Sequence, residues 1–177
     1  MKIIICGAGQ VGWQIARHLS RERNDITLID IRPELIRRAG EVLDVRGVTG
    51  FASHPDVLDR AGARDCDLII AATHSDEVNM VTCQVAHTIF EVPRKIARLR
   101  SPAYLQAIWS DLYRTEHLPI DTVISPEREV ASAVLQQLPP HGSHERVEAP
   151  AAAQEAAQAA LLTRSAGRLR RGRSSAH

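Results

Sequence analysis

Six residues near the N-terminus of this 177-residue chain have the types and spacing of a phosphate-binding turn. They are Gly7-Ala8-Gly9-Gln10-Val11-Gly12, which form the pattern Gly-x-Gly-x-x-Gly. In a strand–turn–helix, Gly7 lets the chain turn sharply, Gly9 lets the backbone approach a pyrophosphate, and Gly12 lets the helix pack close to the strand. The N-terminus of the helix then points free N–H groups at the phosphates. The motif predicts binding of a dinucleotide or an adenine nucleotide.

The residues on either side of the motif fit a strand–turn–helix that binds a nucleotide. Ile3 to Cys6 form a short apolar run, typical of a strand buried on both faces of a parallel sheet. The next apolar run, Ile26 to Ile31, contains Asp30 near its end, and a carboxylate there can accept the hydroxyls of an adenosine ribose. Such an acid favours NAD or an unphosphorylated adenosine over NADP, whose extra phosphate it repels. Arg32, two residues later, weakens that exclusion.

Strand-like and helix-like patterns alternate six times along the chain. Strands are expected over residues 3–6, 26–31, 45–49, 67–73, 95–99 and 121–124, and helices over 10–23, 33–43, 54–61, 75–90, 104–112 and 125–138. In the helix over 75–90 we expect an inward stripe of Val78, Val81, Val85 and Ile89. The alternation predicts an α/β fold, a Rossmann-like doubly wound parallel sheet with strand order 3-2-1-4-5-6.

Ligands of such a sheet bind beyond the carboxyl ends of the strands, where the strand order reverses. Thr73 and His74 end the fourth strand, and we expect both to contact adenine or the adjoining ribose. Arg98 ends the fifth strand, where a guanidinium suits a phosphate or a carboxylate. Because no acid or cysteine stands in a recognisable catalytic pairing with His74, we predict no catalytic residue.

Composition narrows the possible classes of protein. Cys6, Cys66 and Cys83 have spacings unlike those of a metal site, so we expect buried thiols in a reducing compartment and no bound metal. Residues 1–138 carry a net charge of −2, from 16 basic and 18 acidic residues, and aromatic residues are only 3% of the chain. Both features disfavour a nucleic-acid surface. No apolar run approaches the roughly 18 residues of a membrane span, and we expect a cytoplasmic protein.

The character of the chain changes after residue 138. Pro139-Pro140-His141-Gly142 breaks the last helix, alanine dominates residues 149–160, and the end is rich in arginine. We therefore expect a nucleotide-binding domain over residues 1–138 and a low-complexity, flexible tail over 139–177 with one marginal helix. A contact of the basic tail with a membrane surface or with nucleic acid is the alternative.

Several segments together resemble a known family. GAGQVG, HPDVL, LIIAATHSDEVNMVTCQVA, KIARLRSPAYL and VISPEREVA are similar to the KTN or RCK family of nucleotide-binding domains, as found at the N-terminus of TrkA potassium uptake proteins. The resemblance implies a cytoplasmic regulatory subunit that binds NAD or NADH, with ATP and ADP as further candidates. It also implies a homo-oligomer held at the inner membrane face by a membrane-embedded potassium-translocating partner, which it gates by ligand-dependent conformational switching.

Carried over by position, the family's nucleotide contacts fall on loops that we expect at the carboxyl ends of the strands, residues 7–11, 30–32, 50–53, 73–75 and 98–101. They are Gly7, Ala8, Gly9, Gln10, Val11, Asp30, Ser53, Thr73, His74 and Arg98. The resemblance ends at about Leu138, where family members continue into a small α+β domain, so we expect either a truncated gene product or a one-domain paralogue. The alternative functions are an NAD-dependent dehydrogenase, or a fragment of one, and a redox-sensing DNA-binding regulator.

Overall fold

The structure, a computed structural model, describes residues 1–127, 129 and 130. Its strands are β1 (Lys2–Cys6), β2 (Asp25–Asp30), β3 (Arg46–Thr49), β4 (Leu68–Ala71), β5 (Lys95–Arg98) and β6 (Thr122–Ile124). All pair in parallel, in the order β3-β2-β1-β4-β5-β6. The predicted Rossmann-like α/β fold and its strand order are confirmed.

Short helices connect the strands. They are α1 (Gln10–Ser20), α2 (Pro33–Val42), α3 (Pro55–Arg60) and α4 (Asp76–Thr88), with 3₁₀ turns over Ala63–Asp65, Pro102–Leu105 and Ala107–Tyr113. Proline opens both α2 and α3, where its fixed φ suits the first turn and its missing N–H costs nothing. Ser75 caps α4, since its hydroxyl accepts a hydrogen bond from the Val78 N–H at 3.2 Å.

The side chains at the centre of the sheet are apolar and buried. Ile5, Leu28 and Ile69 on the three central strands are completely buried, as expected for strands covered on both faces. On one side α1 contributes an apolar stripe of Val11, Ile15, Ala16 and Leu19, all buried. The parallel register of β1 with β2 and β4 brings the carboxyl ends of these strands to one edge of the sheet, and burial of this apolar surface stabilises the arrangement.

Residues Met1–Ile124 form one compact unit, and the chain from Ser125 onward forms a second. In the described part of the second unit, the Glu129 N–H donates to the Ser125 carbonyl at 3.2 Å. The rest of the predicted last helix, and the predicted tail over 139–177, lie outside the described residues.

The prediction of an α-helix over residues 104–112 is wrong. Two 3₁₀ segments, Pro102–Leu105 and Ala107–Tyr113, occupy this region, and extended backbone at Gln106 (ψ 137°) separates them. The Tyr113 hydroxyl, which donates to the Tyr104 carbonyl at 2.7 Å, ties the two segments together. A tertiary hydrogen bond and the sheet contacts of this region override its helical periodicity.

The predicted inward stripe of α4 is only partly correct, since Val78 and Val85 are half-buried and Val85 packs against the core. Val81 and Ile89 are 48% and 49% exposed, whereas Asn79, Thr82 and Cys83 are completely buried. Apart from Met80, the buried face consists of small and polar side chains, which let the helix lie close to β4 and β5. The Thr82 hydroxyl satisfies itself on the Val78 carbonyl at 2.7 Å, so its burial leaves no unpaired donor.

Two glycines in the N-terminal turn are required by packing. Gly7 has a φ of 101°, and a Cβ there would lie 2.7 Å from the Ala72 carbonyl oxygen. A Cβ on Gly12 would lie 1.7 Å from the Gly7 carbonyl oxygen. The backbone therefore makes a sharp turn at Gly7 and brings the helix close to the strand at Gly12, as predicted for these two residues.

Replacing Gly12 by alanine should destabilise the ligand-free protein by about 3 kcal/mol or more, because the clash is with backbone that cannot move without displacing α1. Gly40→Ala is the matched control. Gly40 lies in α2 with nothing within 4 Å of its virtual Cβ, so the added methyl should raise stability by about 0.5–1 kcal/mol. Urea unfolding followed by circular dichroism measures both. Equal stabilities of the two variants would contradict the packing argument.

All three thiols are buried. Burial raises the pKa of Cys6 and Cys66, and it raises the pKa of Cys83 to about 12. At pH 8 a thiol with that pKa is only about one ten-thousandth thiolate, and the thiolate is the reactive form. We expect fewer than one of the three thiols to react with Ellman's reagent in the native protein, and all three in denaturant. Rapid native labelling would show that the thiols are not buried in solution.

Candidate functional site

A cavity of about 340 Å³ opens at the carboxyl ends of the strands, where β1 separates the two halves of the sheet. It is lined by Gly7, Gly9, Gln10, Val11, Ile29, Asp30, Ile31, Arg32, Gly50, Phe51, Ala52, Ala72, Thr73, His74, Ser75, Val78 and Arg98. These residues follow five different strands, and the parallel register brings them to one edge of the sheet.

Most of the residues predicted as nucleotide contacts line this cavity. Ala8 and Ser53 are the two that do not. Ala8 is buried and takes part through its backbone, since its N–H donates to the Asp30 carboxylate at 2.7 Å. Ser53 is half-buried and follows Ala52, which does line the cavity. Whether a nucleotide touches any of these residues stays a prediction.

Gly9 differs from the other glycines of the turn. A Cβ there would meet only the His74 Nε2 at 3.6 Å and an Arg32 Nη at 4.0 Å, which are ordinary contact distances. The protein's own packing therefore does not demand glycine at this position. The space that the missing Cβ leaves faces the cavity, where a phosphate could approach the backbone. This fits the role predicted for the middle glycine of a dinucleotide-binding turn.

The N-terminus of α1 points at the same space. Gly9 is its N-cap residue, no side chain caps the helix, and its first turn holds no acidic residue. The first N–H groups of a helix lack intrahelical partners and carry partial positive charge. An anion placed over Gly9 would satisfy them, so this helix start is suited to a phosphate.

Asp30 joins the glycine turn to the end of β2. One carboxylate oxygen, Oδ2, accepts the Ala8 N–H at 2.7 Å, and the other, Oδ1, accepts the Arg32 N–H at 2.9 Å and the Arg32 Nε at 3.4 Å. The side chain is buried. Hydrogen bonds from backbone N–H groups stabilise the charged carboxylate and fix its orientation. A ribose at the mouth of the cavity would meet a preoriented acceptor.

Thr73 and Arg98 are held in place by one side chain that does not line the cavity. The completely buried Asn79 accepts from the Thr73 N–H at 2.9 Å and from the Thr73 hydroxyl at 2.7 Å. Its amide NH₂ donates to the Thr73 carbonyl at 3.2 Å and to the Arg98 carbonyl at 2.8 Å. Asn79 thus ties the ends of β4 and β5 together from the first turn of α4. It positions two candidate contacts and is shielded from any ligand.

Asp76 makes a second tie of the same kind. Its carboxylate oxygens accept the Arg100 N–H at 2.9 and 3.0 Å and the Ser101 N–H at 2.8 Å. Glu77 is the next residue along the helix. Hydrogen bonds from the Glu77 backbone N–H and from the Ser75 hydroxyl lower the pKa of the Glu77 carboxyl. In turn, the Glu77 carboxylate raises the pKa of Tyr104. The loop after β5 is therefore anchored on the start of α4 by charged hydrogen bonds.

The sequence predicted that the loops over 30–32 and 50–53 lie at this cavity, but it did not single out their apolar residues as part of the wall. Ile31 and Phe51 line it and are each 55% exposed, and the half-buried Val78 contributes from α4. Large apolar side chains left open in a cavity are suited to cover a flat ring. The available signal was their position, immediately after the ends of β2 and β3.

Several kinds of site are not found in the described part of the chain. No group of His, Cys, Asp or Glu side chains there is arranged to hold a metal ion. No helix within those residues combines the length and apolar character needed to cross a membrane. The groups at the cavity that could hold an anionic, ribose-bearing ligand are the uncapped start of α1 and the Asp30 carboxylate.

A family model described as the TrkA-N domain matches residues 3–126. The chain is 54% identical over 138 residues to the Trk system potassium uptake protein TrkA of Azorhizobium caulinodans, covering 78% of this chain and 30% of that protein. It is 52% identical over 134 residues to the protein of the same name from Halomonas elongata, covering 76% and 29%. The chain thus spans less than a third of the length of these curated relatives.

Solved structures share the fold at low sequence identity. The TrkA-N domain of the Escherichia coli inner membrane protein ybaL superposes with a TM-score of 0.65 at 19% identity, covering 78% of this chain and 96% of that one. The GsuK channel bound to NAD gives 0.63 at 18%, covering 75% and 23%. The C-terminal domain of Shewanella denitrificans Kef in its AMP-bound form gives 0.59 at 18%, covering 94% and 95%.

Asn79→Asp should destabilise the protein by about 2–4 kcal/mol at neutral pH, because a carboxylate oxygen would then face the Thr73 and Arg98 carbonyls. Gln84→Glu is the control on the same helix. The Gln84 amide bonds only the Thr88 hydroxyl, at 2.9 Å, in an exposed position, so its change should stay within about 0.5 kcal/mol. Thermal and urea unfolding measure both. Similar losses in the two variants would contradict the role given to Asn79.

Proposed function

The chain belongs to the TrkA-N domain family, and from this premise we propose that it is the nucleotide-binding domain of a regulatory subunit of a Trk-type potassium uptake system. The observation that carries the proposal is the 48–54% identity to curated TrkA proteins from several bacteria, which extends over at least 134 residues. The matched region contains every residue that lines the cavity.

The ligand we propose is NAD or NADH, with ATP and ADP as further candidates. The turn at Gly9 and the start of α1 would hold the phosphates, and Asp30 would accept a ribose hydroxyl. Ile31 and Phe51 offer apolar surface for the adenine. Two neighbours of the same fold, one described as bound to NAD and one to AMP, agree with this ligand class.

We propose that the domain regulates by ligand-biased switching and not by chemistry. Two nucleotides that differ in affinity for two arrangements of the protein would shift the population of those arrangements, whereas equal affinities would shift nothing. Thr73 and Arg98 line the cavity and are tied through Asn79 to α4. A nucleotide that displaced either residue would therefore act directly on the position of that helix.

The partner in this proposal is a membrane-embedded potassium-translocating subunit, which places the chain at the cytoplasmic face of the membrane as part of a homo-oligomer. The names of the curated relatives support a role in potassium uptake. The domain boundary at residue 138 is likewise a proposal.

The alternative of an NAD-dependent dehydrogenase gains no support from the site. Hydride transfer needs a substrate site and, in most such enzymes, an acid or base beside it. In the described part of the chain, His74 lines the cavity without an ion pair or hydrogen bond to a carboxylate. The curated relatives are named as uptake proteins.

Calorimetric titration of the full chain with NADH, NAD, ATP and ADP tests the proposal. Binding in the micromolar range is expected, and Asp30→Ala should weaken it at least tenfold, because the variant removes the ribose acceptor and releases the Ala8 N–H. Asp44→Ala, at an exposed acid outside the cavity, should leave the affinity unchanged. Circular dichroism verifies folding. A folded wild-type chain that binds none of the four nucleotides would overturn the proposal.

A further inference from the structure

The imidazole of His74 faces the opening that Gly9 leaves in the glycine turn. Its Nε2 lies 3.6 Å from the position that a Cβ on Gly9 would take, and an Nη atom of Arg32 lies 4.0 Å from the same position. Both nitrogens therefore border the place where a phosphate would approach the backbone. Because a phosphate is larger than a methyl group, one seated there would meet both of them. The sequence predicted a contact of His74 with adenine or ribose, and the orientation of the ring adds the phosphates.

This imidazole is available for such a contact. His74 is exposed and lines the cavity. No other described residue forms a hydrogen bond or an ion pair with its ring. In a neutral imidazole Nε2 carries either a lone pair or a hydrogen, whereas in the protonated ring it always carries a hydrogen and shares a positive charge. A phosphate therefore prefers the protonated ring.

The cavity wall offers His74 little negative charge. Arg32 borders the same opening, and Arg98 lines the cavity from the end of β5. The start of α1 adds the partial positive charge of its N–H groups. Asp30 supplies the only carboxylate among the described residues of the wall, and the N–H groups of Ala8 and Arg32 already engage it. A phosphate over the glycine turn would thus be a new negative partner for the ring.

Three further titratable side chains lie next to residues of the cavity wall, but none lines the cavity. They are Asp76, Glu77 and His54. Backbone N–H groups engage the Asp76 carboxylate, and the Ser75 hydroxyl donates to Glu77 at 2.9 Å. The ring of His54 stacks on that of Phe51. A phosphate in the cavity would therefore meet a single imidazole among the described residues.

We propose that His74 contacts the phosphates of the bound nucleotide in its protonated form, so that binding takes up a proton and tightens as the pH falls. This inference rests on the proposed function of the cavity. An imidazole changes its charge within the physiological pH range. A bound phosphate stabilises the charged ring, and by linkage a low pH then stabilises the bound state.

The sign of the effect follows from the same linkage. The gain in affinity is complete where the ring is already protonated in the free protein. It is lost as the pH rises beyond the range in which the bound phosphate can retain the proton. The domain thereby responds to pH as well as to the nucleotide.

Calorimetric titration of the full chain with NAD and NADH at several pH values tests the inference. Neither ligand has a terminal phosphate, whose own ionisation at about pH 6 would contribute protons. Affinity should rise about three- to tenfold from about pH 8.5 to about pH 6.5. At about pH 7, titrations in two phosphate-free buffers of different ionisation enthalpy should show an uptake of roughly half a proton per bound nucleotide.

Two variants make the outcome specific to one ring. His74→Gln keeps a neutral donor of similar size and removes the titration, so it should lose both the rise in affinity at low pH and the uptake of a proton. His117→Gln is the matched control, because His117 is exposed and does not line the cavity. This control should retain both effects, and circular dichroism verifies that each variant is folded.

Each result decides one question. Wild-type binding with the same affinity at both ends of the pH range, or without proton uptake, would overturn the role of His74 and leave the proposed nucleotide site standing. Proton uptake that persists in folded His74→Gln, or that is lost in His117→Gln, would do the same. A folded wild-type chain that binds neither NAD nor NADH would overturn the proposed ligand and, with it, this inference.

Discussion

The close approach of helix α1 to the end of β1 is the constraint on which the rest of the site depends. A Cβ on Gly12 would lie 1.7 Å from the Gly7 carbonyl, so the helix can take its position only where residue 12 lacks a side chain. That position aims the uncapped start of the helix at the cavity. It also brings the Ala8 N–H within 2.7 Å of Asp30, which links β1 to β2 at the same edge. One steric requirement therefore sets both the phosphate-binding geometry and the orientation of the ribose acceptor.

On the other side of the cavity, hydrogen bonds from buried polar side chains fix the positions of the loops, whereas at α1 a steric requirement does so. Asn79 and Asp76, both on α4, bind backbone groups that follow β4 and β5. A fully satisfied buried network is rigid because each member would lose its partners on moving. The cavity-lining residues on this side are thus held by a helix whose outer face carries the exposed Val81 and Ile89. This arrangement makes α4 the element through which a bound ligand could act at a distance, as the proposed regulatory role requires.

Charge in the cavity is balanced locally. Asp30 is paired with Arg32, so the wall at the end of β2 presents a nearly neutral, hydrogen-bonding surface. A phosphate at the proposed position over Gly9 would instead meet backbone N–H groups, whose partial charges have a fixed direction. Such a site would select its ligand by geometry at the phosphates and by the Asp30–Arg32 pair at the ribose. A cavity of this design is suited to distinguish related nucleotides, which is what a nucleotide sensor must do.

The sequence by itself determined the fold, the strand order and most of the cavity wall, because apolar strand periodicity and the glycine spacing are local properties of the chain. It did not determine the face of α4 that is buried. The valine stripe is apolar, yet the smaller side chains of Asn79, Thr82 and Cys83 are the ones that are completely buried against the sheet. Nor did it reveal that Asp30 is already engaged by Ala8 and Arg32. Contacts between residues distant in the chain depend on how elements approach one another, and only the tertiary structure decides that.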